Sequence, residues 1–238
     1  FAALVGPDGR YLVERTALSV APALAYSQPG GSESDGDAAI LAASLQREVS
    51  LPAGTFSALE GTTGEARIAA ENGSPGTLIE NFGKEELVTA LSTRPVDVLH
   101  LATHASFNGR SDRAFIVADG EAIRLSELRD IISSNRARGE SLALLVLSAC
   151  ETAVGDDEAS MGLAGAAVQA GALSAIASLW QVNDAGTAEL MRQFYGRYRT
   201  GESRSAALRN AQLALIQGGG DNADPNIWAA FTLLGAWR

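Results

Sequence analysis

A single cysteine stands among 238 residues, which excludes an internal disulfide and fits a reducing, cytoplasmic setting. No run of eighteen or more apolar residues occurs, so no membrane span is expected. Nor does a secretory signal open the chain. Positive charge is also scarce. Lys and Arg total 18 against 28 Asp and Glu, for a net charge of −10, and no basic cluster offsets this locally. Such a surface repels phosphate backbones, so nucleic acid is not an expected partner. There is no G-x-S-x-G, hence no serine-hydrolase elbow. HLATH, residues 100–104, has an H-x3-H spacing but lacks the Glu of HExxH. On a strand those two histidines would lie about 13 Å apart, too far to share one ion. No metal and no cofactor are expected. The glycines of MGLAGAAVQAG lack G-x-G and follow acidic residues, which reads as tight helix packing rather than a nucleotide loop.

What is present is an ordinary globular composition, 46% apolar and 19% charged. The chain begins with Phe1 rather than Met, which is read as a piece of something longer. FAALVGPDGRYLVERTALSVAPAL alternates around PDG and predicts an N-terminal β-hairpin arm over 1–27, with strands near 2–5 and 11–20. QPGGSESDGD, residues 28–37, reads as a flexible connector. From 38 to 238 strands and helices alternate. Strands are expected at 38–45, 76–82, 96–104, 141–149 and 172–180, with a hairpin turning at ADGE within 114–125. Helices are expected at 64–72, 84–92, 184–201 and from Ser203 to about Gln217. One more follows SELRDIISS with Ser126 as N-cap, and the tail closes with a short helix or strand. This alternation implies a mostly parallel sheet covered on both faces, with ligands at the carboxyl ends of its strands.

Two of the most apolar strands end in reactive residues. VDVLHLA runs into Thr103-His104, and LALLVLS runs into Ala149-Cys150. Parallel packing puts both ends on one sheet edge, and neighbouring strands would bring them to about 4.8 Å. A free thiol, with a pKa near 8.5, is mostly unreactive at neutral pH, so an imidazole in reach would activate Cys150 as a nucleophile. His104 would take the thiol proton and later protonate a leaving amine, while the backbone N–H groups of Ala105 and Cys150 could hold the oxyanion. Other readings of the same residues stand beside this one. A lone Cys at a strand end is commonly buried and inert, a lone His commonly a satisfied core residue. A flavodoxin-like nucleotide-binding domain would also place its ligand at the strand ends.

VLHLATHASFNG, LALLVLSACETAVG, GALSAIASLWQVND, ELMRQFYGRY and PNIWAAFTLLGAW together resemble the CHAT family. GRYLVERTALSVAP and FSALEGTTGEARIAA are similar to its upstream part. The resemblance implies a caspase-like three-layer α/β/α sandwich and places the catalytic pair at His104 and Cys150. It implies a cysteine endopeptidase acting on a protein or peptide through a thioester acyl-enzyme. Tetratricopeptide repeats upstream in the full-length protein are implied as its regulators. The family usually has Gly after its catalytic His, where this chain has Ala105, so an inactive member serving as an interaction scaffold is the alternative. By analogy with metacaspases, Asp184 in SLWQVND is a candidate for a pocket that takes a basic side chain. The other reading makes Asp184 a helix N-cap. Glu151 and Trp180 are further pocket candidates, against a solvated loop and a core position respectively.

Overall fold

Among the described residues of the computed structural model (1–21, 37–106, 114–137, 142–151, 168, 171–180 and 182–238, with 134–137 and 149–151 as backbone), the apolar runs become strands. They are β1 (Ile40–Ser44), β2 (Val49–Leu51), β3 (Gly54–Phe56), β4 (Gly76–Glu80), β5 (Val98–Ser106), β6 (Phe115–Ala118), β7 (Glu121–Arg124), β8 (Leu144–Glu151), β9 (Ser174–Ser178) and β10 (Phe231–Gly235). The helices are α1 (Thr62–Glu71), α2 (Lys84–Thr93), α3 (Leu125–Ala137), α4 (Asp184–Tyr198), α5 (Arg204–Gly218) and the short α6 (Pro225–Trp228).

The central sheet runs in the order β10-β9-β8-β5-β1-β4. Its strands are parallel except for β10, which pairs antiparallel with β9. The hairpin β6–β7 hangs antiparallel on the last residues of β5. Period-two alternation sends the odd residues of β5 to one face and the even ones to the other. Leu99 and Leu101 pack with Leu87 and Leu91 of α2 and Leu128 of α3. Val98 and Ala102 pack with Ala66 and Ala69 of α1, Leu190 and Phe194 of α4, and Leu208 of α5. Both faces are covered, which is why β1 is buried at every position and reads as an unbroken apolar run. The result is the expected three-layer α/β/α sandwich with a mostly parallel sheet. Among the described residues, no helix is long and apolar enough to cross a membrane.

Several local expectations differ. Ser126 lies inside α3 rather than capping it, and the carboxylate of Glu127 accepts the Arg124 N–H at the helix entry, 2.8 Å. The tail forms both a helix and a strand, α6 and β10. The arm turns back through a single antiparallel bridge, Val5 to Tyr11, and Leu12–Glu14 is a 3-10 turn rather than strand. The arm then lies on the last strand. Val20 bridges Leu234 in parallel, and the Ser19 hydroxyl donates to the Gly235 carbonyl at 2.8 Å. Arg209 of α5 donates to the carbonyls of Val13 and Glu14, at 2.8 and 2.9 Å. The small separate hairpin β2–β3 was not anticipated. Most of the connector at 28–37 and all of MGLAGAAVQAG except Val168 and Gly171 lie outside the described residues.

Candidate active site

β5 and β8 are neighbours in the sheet, and their register pairs His100 with Val146, Ala102 with Ser148, His104 with Cys150, and Ala105 with Glu151. Cys150 is the last residue but one of β8, so the pair stands at the carboxyl ends of two parallel strands. Ligand sites of open α/β sheets gather at this edge because loops and helix starts converge there.

His104 is 2% exposed. Its Nε2 lies 2.8 Å from the backbone carbonyl of Ser57. A carbonyl only accepts, so Nε2 carries the proton and donates, which leaves Nδ1 of the neutral ring as a free lone pair. Nδ1 is buried and has no hydrogen-bond partner among the described residues. The Phe56 ring covers the imidazole, with centroids 5.5 Å apart and planes tilted by 47°. A base with one nitrogen tethered and the other bare is set to take a proton from a neighbour.

Ser57 reaches His104 because the segment after β3 is tied down along its length. The Leu59 N–H donates to the Gln46 carbonyl at 2.8 Å. The Thr62 hydroxyl is 3.1 Å from the Leu45 carbonyl and 3.0 Å from that of Leu59. Finally the Gly61 N–H donates to Asp184 Oδ2 at 2.9 Å. Gly61 needs its missing side chain here, since a Cβ would come within 2.3 Å of Asp184 Cβ.

Asp184 is thus joined to the start of α1. It does not cap its own helix, because the side chain of Asn183 accepts the Gly186 N–H at 2.8 Å and fills that role. Trp180 is 38% exposed, and its indole N–H donates to the Asn226 carbonyl at 2.8 Å. Beside it a hollow of about 820 Å³ opens between Asn183 and the segment bearing Asp221, Asp224 and Asn226. Trp180, Asn183 and Asp184 all follow β9 and so belong to the same sheet edge as His104 and Cys150.

Ala105 lies inside β5, paired with Ile116 of β6 as well as with Glu151. Asn81 alone among the described non-glycine residues has a positive φ, so Ala105 is not in the left-handed turn that would favour glycine. Ala in place of Gly therefore carries no backbone strain here. Among the described residues no group of three or more His, Cys, Asp or Glu is placed to hold a metal ion.

The profile of the CHAT domain matches residues 1–236. Similar solved structures include that of the Arg-specific cysteine proteinase gingipain R, with 14% identity and TM-score 0.49 over 85% of this chain and 46% of that one. Another is the complex of the pro- and mature domains of RgpB from Porphyromonas gingivalis, with 13% identity and TM-score 0.50 over 85% of this chain and 48% of that one. This chain spans about half the length of either, and likeness at such identity concerns the fold alone. No curated protein matches the chain by sequence.

Proposed function

The chain belongs to the CHAT domain family, and from that premise we propose that it is a caspase-like cysteine endopeptidase with Cys150 as nucleophile and His104 as general base. The observation that carries the proposal is the register pairing the one cysteine of the chain with His104 at adjoining strand ends. Nδ1 of His104 takes the thiol proton, and the thiolate attacks the scissile carbonyl. The tetrahedral oxyanion is held by backbone N–H groups, those of Ala105 and Cys150. The imidazolium then gives its proton to the departing amine as the C–N bond breaks, leaving a thioester. Water, deprotonated by the same Nδ1, hydrolyses the thioester and restores the thiol. The Ser57 carbonyl keeps the proton on Nε2 throughout, which supports Nδ1 as the working atom.

An extended protein or peptide segment would lie beside the carboxyl end of β9. Asp184 would take a basic side chain there, with Trp180 and Glu151 as walls of the pocket. Asp184→Asn keeps an oxygen for the Gly61 N–H, so it tests charge apart from support. It should lower kcat/KM about five- to tenfold for substrates with Lys or Arg before the cut, and leave uncharged ones alone. An equal loss for both classes, or none, would confine Asp184 to holding Gly61. Regulation by tetratricopeptide repeats elsewhere in the full-length protein is part of the same proposal.

The direct test is a peptide-library cleavage screen with Cys150→Ala as control, paired with iodoacetamide alkylation of the native chain. Cys150 should be alkylated well faster than a free thiol, and His104→Ala should slow it. If Cys150 reacts only after denaturation and no library peptide is cut, the fold serves as an interaction scaffold.

A further inference from the structure

A buried carboxylate lies beneath the His104–Cys150 row. Glu65, on the inward face of α1, is 4% exposed, and its Oε2 accepts from the Ser148 hydroxyl at 3.0 Å. Its Oε1 stands 3.3 Å from Nε2 of fully buried His100. These two atoms are near enough to attract but not aligned for a hydrogen bond, and neither has another polar partner among the described residues. On its other side, Nδ1 of His100 meets the Tyr195 hydroxyl at 2.8 Å. Burial first, and then the charge of Glu65, push the Tyr195 phenol well above its ordinary range, so it keeps its proton. The protons then run one way. Tyr195 O–H donates to His100 Nδ1, the Nε2–H of His100 faces Oε1, and the Ser148 O–H donates to Oε2.

Burying a carboxylate is costly unless hydrogen bonds and charge offset it, and well-packed apolar side chains commonly fill such space at no loss of stability. The placement of this one is informative. Ser148 precedes Cys150 by two residues on β8, about 6.6 Å along the strand. His100 precedes His104 by four on β5. Glu65 therefore grips both strands just below their reactive ends. The same helix, α1, emerges from the segment whose Ser57 carbonyl holds His104 from above.

We propose that Glu65 is a positioning residue for His104 and Cys150, fixing β5 against β8 through His100 and Ser148 so that α1 sets the imidazole and the thiol from both sides. This rests on the Cys/His reading above, and its test separates the two. The chain has two histidines, so the 15N imidazole spectrum contains two rings, assigned by replacing either one. Glu65→Gln keeps the shape but leaves one accepting oxygen, so it can no longer present an acceptor both to the Ser148 hydroxyl and to the facing His100 Nε2. In the folded variant the His104 signals should move together with those of His100, and Cys150 alkylation should slow about 10- to 100-fold. Ser148→Ala should act in the same direction, and Ser148→Thr, which keeps the hydroxyl, should restore the rate. If only the His100 signals move and alkylation is unchanged, Glu65 serves the fold alone and the proposal is overturned. If wild-type Cys150 reacts no faster than a free thiol, the peptidase reading has failed, and the His104 signals by themselves decide for or against positioning. Should Glu65→Gln not fold, the Ser148 pair decides by the same signals.

Discussion

Replacing His104 with alanine should lower kcat/KM for a cleavable peptide by about 10³-fold while leaving the circular dichroism spectrum native. The size of the effect follows from the double use of one nitrogen. In the proposed mechanism Nδ1 removes a proton in the attack and returns it to the amine, so its loss would leave both steps to water. The tether to the Ser57 carbonyl makes the effect specific to geometry, because it fixes which nitrogen is bare. The loss of that single hydrogen bond from a buried site costs about 1 kcal/mol of stability, too little to unfold a chain of this size. Steady-state cleavage by wild type and variant at equal concentration provides the check. Activity retained within tenfold would mean that another group handles the proton, and the assignment of His104 would fall.

Trp228→Ala should destabilise the fold by about 3–5 kcal/mol, the cost of a large aromatic cavity. The indole is fully buried, and its N–H donates to the Ala223 carbonyl at 3.0 Å. The Tyr11 ring meets it edge-on at 4.9 Å, and the Trp228 carbonyl accepts from Gln212 at 3.0 Å. One residue thus joins the arm, α5 and α6. A thermal melt should show Tm reduced by roughly 10 °C or more. Limited proteolysis should cut within residues 1–20 earlier than in the wild type. An unchanged Tm would mean that the surroundings close over the gap.

The layers of this fold are written in period and length. Doubly buried strands such as ILAAS and LALLVLS read as unbroken apolar runs, and α4 carries Leu190, Met191, Phe194 and Tyr198 on one face. His104 and Cys150 could be named as candidates because reactive side chains stand out where such runs end, and the strands that bear them are neighbours. Ser57 was not, because it acts through a backbone carbonyl, which every residue possesses. The hairpin that delivers it has strands of three residues each, too short for alternation to register. Glu65 did leave a trace. It sits between Thr62 and Ala69 on the buried stripe of α1, where a carboxylate is out of place, and His100 is a polar side chain in the middle of an apolar strand. What the sequence withheld was that these two meet. Asn183 and Asp184 are both competent caps, and only the fold separates the one that caps from the one that holds Gly61.

Residues 19 and 20 are held by a strand that is made long after them. Val20 and Ser19 rest on Leu234 and Gly235, with more than two hundred residues between them. During synthesis Ser19 and Val20 must therefore wait without their strand partner until positions 231–235 have cleared the ribosome. Such distant pairing makes closure of this edge a late and slow event.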